Sequence, residues 1–162
     1  MIKFKIILMS LLIGRVALAV TFKLEFKIPK EIKVKLSLLE VDRVKFDKAI
    51  GSSGDLLNEA QLEGGQLIKN FSFDLKQGET KIVALVAENL TAKEVVFFVS
   101  PHEANPAEYS LDFKFNCLCY SHIYKIKPKG KWYRIMSLSV LEPDTKAKTI
   151  TLTHQLVKWN KK

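Results

Sequence analysis

The sequence predicts an all-β protein, specifically an immunoglobulin-like β-sandwich of seven or eight strands. Short segments in which apolar and polar residues alternate with a period of two recur along the chain, as expected for strands with one buried face. Segments rich in proline, glycine and lysine separate them, for example Pro128-Lys129-Gly130, and these reverse the chain direction. A length of 162 residues, 48% of them hydrophobic, suits a single core.

Eight segments carry the strand pattern. They are residues 21–28, 32–45, 68–75, 81–89, 93–100, 109–120, 131–141 and 148–157. Between the second and third, residues 51–54 read Gly-Ser-Ser-Gly and predict a flexible link. Residues 55–62 then predict a short helical insertion that Gly64 and Gly65 end. We interpret this region as an insertion into the sandwich, because neither flank is long enough to fold alone.

The first 19 residues predict a secretory signal peptide. Lys3 and Lys5 precede an apolar stretch at 6–13, and Ala17-Leu18-Ala19 offers the small residues of a cleavage site. Residues 20–162 would then form one domain in the periplasm or elsewhere outside the cytoplasm, associated with the inner membrane if the segment stays uncleaved as a short anchor. Arg15 argues against a full membrane span, which needs about 20 apolar residues.

Charge and motifs exclude several functions. The net charge is +9, and Lys3, Lys5 and Arg15 supply three of these charges, which leaves +6 for residues 20–162. Lysines alternate with apolar residues on the predicted strands, which indicates a solvated sheet face or a face that meets an anionic membrane surface. We expect no nucleic-acid binding, because the exported chain lacks a binding motif. We also expect no enzymatic activity, because hydrolase and phosphate-binding motifs are missing from the sequence.

Both cysteines of the chain, Cys117 and Cys119, lie in Asn116-Cys117-Leu118-Cys119-Tyr120. The alternation over 109–116 predicts that both thiols lie on an apolar strand face. Metal binding, a redox disulfide and simple core packing are three open interpretations. In an extended strand their Cα atoms would be about 6.5 Å apart, from a rise of about 3.3 Å per residue. Disulfides usually join Cα atoms about 5.5 to 6 Å apart, so a disulfide formed in this geometry would be strained and easily reduced rather than stabilising.

If a metal binds, two thiolates select a soft ion, and Cu(I) is the usual choice. Structural zinc needs four ligands, and no Cys₄ or Cys₂His₂ set is evident in the sequence. His122 and Met136 are weaker candidates for a third ligand. His154 alternates with apolar residues, which predicts an inward-facing histidine with its hydrogen bonds satisfied, and His102 is predicted to be a loop residue.

The chain resembles the CtaG family of cytochrome c oxidase assembly proteins over roughly its last half. The resemblance is carried by Asn89-Leu90-Thr91, Val99-Ser100-Pro101-His102-Glu103-Ala104, the Cys117-Leu118-Cys119-Tyr120 motif, Met136 and Ile150-Thr151-Leu152. It implies an extracytoplasmic immunoglobulin-like sandwich that binds Cu(I) through Cys117 and Cys119. It further implies a metallochaperone that delivers copper to an oxidase catalytic subunit or a related copper enzyme, and a copper-bridged homodimer is compatible with it. The alternatives are an exported interaction protein with structural cysteines, and a thiol redox protein.

Overall fold

Two six-stranded β-sheets pack against each other in the computed structural model, which describes residues 19–42, 49–62, 64–119, 122–141 and 148–160. The strands are β1 (Val20–Lys27), β2 (Val34–Glu40), β3 (Ser53–Leu56), β4 (Gln66–Leu67), β5 (Ser72–Leu75), β6 (Thr80–Asn89), β7 (Val95–Val99), β8 (Glu103–Asn105), β9 (Phe113–Asn116), β10 (Tyr124–Ile126), β11 (Lys131–Val140) and β12 (Thr149–Lys158). The predicted all-β sandwich is confirmed. The described residues form twelve strands rather than seven or eight.

The first sheet has the strand order β10-β7-β12-β1-β5, with β8 also paired to β12. Its central pair, β1 and β12, is parallel and runs in register from Thr21 opposite Thr149 to Lys27 opposite Gln155. The alternating residues of both strands face the core, so Phe22 and Leu152 are almost completely buried. This sheet therefore places one row of β12 side chains between the sheets.

The second sheet has the order β3-β11-β6-β2-β4, with β9 also paired to β11. Its longest ladder joins β11 and β6, from Lys131 opposite Glu88 to Ser139 opposite Thr80. The main core lies between the two sheets and includes fully buried Leu38, Met136 and Leu138. The β9 strand lies beside β11 in this sheet, so the cysteine motif that follows β9 enters the sandwich from the second sheet.

The segment after Gly51 differs from its prediction. Gly51 is in a fixed turn with a φ of 88°, which favours glycine, and β3 follows as an extra strand on the edge of β11. Only Glu59–Leu62 is helical, as a single 3-10 turn rather than a helix over 55–62. Backbone pairing with β11 and burial of Leu56 and Leu62 on the outer face of the second sheet override the local helical pattern.

Three predicted strands have different bounds. The segment 68–75 is interrupted by a turn at Lys69–Phe71, in which Asn70 and Phe71 both have a φ of 55°. The segment 109–120 is a strand only over β9, since Ala107–Tyr109 is a 3-10 turn and Leu111 is 84% exposed. The segment 32–45 is a strand over β2, and residues 43–45 lie outside the described residues, as do 1–18 of the predicted signal peptide.

Asn89, one of the residues that carry the CtaG resemblance, is structural. It is 1% exposed, and its side-chain amide donates to the backbone carbonyls of Lys93, Ile126 and Lys127. These bonds fix the end of β10 against β6.

The 3-10 turns are the longest helical elements of the described chain, so none of its helices has the length to cross a bilayer.

Candidate metal centre

Four side chains with metal-binding atoms converge between the sheets: His102, Cys117, Cys119 and His154. One ligand atom from each lies within 4.8 Å of the others. His154 is 0% and Cys117 3% exposed, while His102 and Cys119 are half-buried. The cluster thus has a closed inner side and a partly open outer side.

Strand register brings the two histidines together. β8 pairs with β12 so that Glu103 lies opposite Thr153 and Ala104 opposite Leu152. Continuing this antiparallel register by one residue places His102 opposite His154. The two cysteines come from the other sheet, directly after β9. The cluster therefore bridges the two sheets.

Cys117 and Cys119 form a disulfide in this structure. Their Cα atoms are 5.5 Å apart, because β9 ends at Asn116 and the chain bends at Leu118, between the two cysteines. The expectation of an extended strand through both cysteines is therefore wrong, and their Cα atoms are closer than that strand geometry predicted. His102 Nδ1 lies 3.4 Å from the Cys119 sulfur and 3.6 Å from that of Cys117.

Buried polar side chains hold the backbone of the cysteine motif. Arg134 Nη2 donates to the Cys117 carbonyl at 3.1 Å, and its Nη1 donates to the Gly51 carbonyl. The Tyr124 hydroxyl donates to the Leu118 carbonyl at 3.0 Å. Since these bonds go to backbone atoms, they do not depend on the oxidation state of the sulfurs.

Arg134 is a buried cation beside this site. It is 5% exposed, and no carboxylate of the described ranges forms an ion pair with it. Burying a charge is costly unless an opposite charge or hydrogen bonds compensate. Two backbone carbonyls compensate it in part, and an anionic group formed at Cys117 would be a further partner.

His154 lies between aromatic rings. Its ring is stacked on Phe26 at a centroid distance of 5.3 Å and meets Phe115 edge-on at 5.7 Å. Neither ring nitrogen has a hydrogen-bond partner of standard geometry among the described residues. The inward orientation predicted from the sequence is confirmed, whereas the prediction that its hydrogen bonds are satisfied is wrong.

Burial keeps both histidines neutral. Burial first, and then the proximity of His102, lower the pKa of His154 to about 4, against a weak opposing effect of the Leu152 backbone. Burial also lowers the pKa of His102. A neutral imidazole has a free lone pair, so both rings are ready to bind a metal at neutral pH.

The two weaker sequence candidates have different positions. His122 is exposed, with its ring 6.4 Å from that of Tyr124, and the structure does not bring it into the four-residue cluster. Met136 is fully buried in the main core that also contains Cys117. A role for its thioether remains a prediction.

Sequence reasoning found the cysteines but missed the other site residues. His102 is in a loop, as predicted, yet it contacts both sulfurs because of the β8–β12 register. The signal for His154 was its place in an apolar alternation, and the signal for Arg134 was a charge within the buried pattern of β11. These signals indicate burial, and they do not indicate which residues meet.

Fold and cluster define a β-sandwich protein with a site between its sheets that is rich in cysteine sulfur and imidazole. The model of a family described as a domain of unknown function, DUF8709, matches residues 19–159, and the chain belongs to this family. Among curated proteins, none matches the chain.

Proposed function

We propose that this protein binds Cu(I) outside the cytoplasm and delivers it during assembly of cytochrome c oxidase or a related copper enzyme. The observation that supports this most is the convergence of both cysteine sulfurs on His102 Nδ1, at 3.4 and 3.6 Å. Soft thiolates with an imidazole are a donor set that suits Cu(I). The CtaG resemblance supports the same ion and the same cysteines.

Copper binding requires reduction of the disulfide. A dithiol reductant donates two electrons and two protons, which opens the sulfur–sulfur bond to two thiols while the reductant becomes a disulfide. Cu(I) then replaces both thiol protons without changing its own oxidation state. The resulting bis-thiolate complex carries one negative charge. Arg134, which contacts the Cys117 carbonyl, supplies a positive charge nearby.

The uneven burial of the cluster suits metal transfer. Cys117 is 3% exposed, whereas Cys119 and His102 are only half-buried. A ligand of the recipient would therefore approach from the side of Cys119 and replace one donor at a time. Copper would pass through a shared intermediate without release of the free ion.

The second candidate is an exported interaction protein without a metal. The Cys117–Cys119 disulfide present in this structure favours it, because a closed disulfide leaves no thiolate for a metal. In that case the bond fixes the backbone that follows β9. The two candidates differ in whether the reduced protein holds copper.

Anaerobic competition between the protein and a chromophoric Cu(I) chelator separates the candidates. We expect the reduced protein to withdraw one equivalent of Cu(I), and the double variant Cys117→Ser with Cys119→Ser to withdraw none. His122→Asn, a change of an exposed histidine outside the cluster, is the matched control and should behave like the parent. Equal copper retention by the parent and the double variant would refute the proposal.

A further inference from the structure

We infer that His154 is a fourth ligand, and that the reduced cluster forms a four-coordinate Cys₂His₂ site for a tetrahedral divalent ion such as Zn(II). This inference rests on the proposed function only in requiring reduced Cys117 and Cys119. It adds an ion class that the cysteine pair alone would not select, because two thiolates with two imidazoles are a common ligand set of zinc.

The environment of His154 supports this role. The residue occupies a position on β12 whose neighbours in the same row, Leu152 and Leu156, are apolar and buried. Leaving a buried polar group without a partner costs about 1 to 3 kcal/mol, and a leucine would avoid that cost. Both ring nitrogens of His154 lack such a partner within the described residues. A metal ion would give one of them a partner.

The four ligand atoms lie near enough for a tetrahedral site to form once the disulfide is reduced. Zinc binds sulfur at about 2.3 Å and imidazole nitrogen at about 2.0 to 2.1 Å, which places tetrahedral ligand atoms about 3.3 to 3.8 Å apart. The four ligand atoms here lie within 4.8 Å of one another. Reduction frees the two sulfurs to separate, and half-buried Cys119 has the space to move.

Titration of the reduced, full-length protein with Co(II) tests the inference. Four-coordinate cobalt absorbs strongly in the visible range, and thiolate ligands add a near-ultraviolet charge-transfer band. We expect one equivalent of Co(II) to give both signals and Zn(II) to displace it. His154→Leu should bind Co(II) at least tenfold more weakly and lose the strong visible absorption, whereas His122→Asn should match the parent.

An unchanged visible spectrum and affinity in folded His154→Leu would overturn the inference. If circular dichroism shows that this variant does not fold, the Co(II) spectrum of His154→Cys is measured instead. A third thiolate should raise the charge-transfer intensity by about one half, and an unchanged intensity would exclude the position from the metal. The Cu(I) competition tests the proposed function separately. If the cysteines hold copper but His154→Leu binds Co(II) like the parent, only this inference is overturned.

Discussion

His154 is an unusual residue for the middle of a buried strand, and its protonation links the site to stability. It titrates with a pKa of about 4 in the folded protein and near 6.5 when unfolded. Between these values the unfolded chain binds more protons, so stability falls as pH decreases from about 6.5 to 4. The shift in pKa corresponds to about 3 kcal/mol.

We therefore expect the free energy of unfolding of the metal-free, disulfide-bonded protein to decrease across this pH range. Replacing His154 by leucine should remove most of the decrease, with a smaller remainder from His102, whose pKa burial also lowers. Urea unfolding at several pH values measures the slope. Identical slopes for the parent and His154→Leu would contradict the assignment.

Arg134 gives a second prediction at this scale. Arg134→Met removes the donors to the Cys117 and Gly51 carbonyls and should destabilise the fold by about 2 kcal/mol. It should also weaken Cu(I) binding, because the bis-thiolate complex loses its nearby positive charge. Arg134→Lys keeps the charge but not the forked geometry. If the positive charge matters for copper, Arg134→Lys should recover more of the Cu(I) affinity lost in Arg134→Met than of the lost unfolding free energy. Chelator competition measures the affinity, and urea unfolding measures the stability.

At the scale of elements, the long alternating strands could be predicted and the short ones could not. β1, β6, β11 and β12 have eight to ten residues each, and their alternating or continuous apolar runs are visible in the sequence. β3, β8 and β10 have three or four residues and exist because a neighbouring strand offers hydrogen bonds. The candidate site follows the same rule, since the cysteines are two residues apart in sequence while His102 and His154 meet through strand pairing.

The β3 segment yields a test of its packing. Leu56 is 5% exposed and contacts the apolar cluster on the outer face of the second sheet, while its neighbour Leu57 is 83% exposed. Leu56→Ala should cost about 2 to 4 kcal/mol of unfolding free energy, and Leu57→Ala should cost less than about 0.5 kcal/mol. Chemical denaturation of both variants measures the difference. Similar small losses would mean that β3 does not depend on this contact.

For the whole molecule, a metal held between the sheets should stabilise the sandwich. Binding to the folded state alone adds about 2.7 kcal/mol when the free ligand is a hundredfold above its Kd. We expect reduced protein to unfold at a higher temperature in buffered Cu(I) than without it. The double variant Cys117→Ser with Cys119→Ser should show no shift, and an equal shift in that variant would place copper elsewhere.

The parallel pairing of β1 with β12 has a consequence for when the site can exist. β12 lies between β1 and β7 in its sheet, although it is the last described strand to be synthesised. The edge of β1 that pairs with β12 therefore stays without this partner until β12 has been synthesised. His154 is part of β12, so it joins the sheet at the same time. An incomplete chain therefore lacks His154, so a partly synthesised molecule would not bring all four side chains of the cluster together before its fold closes.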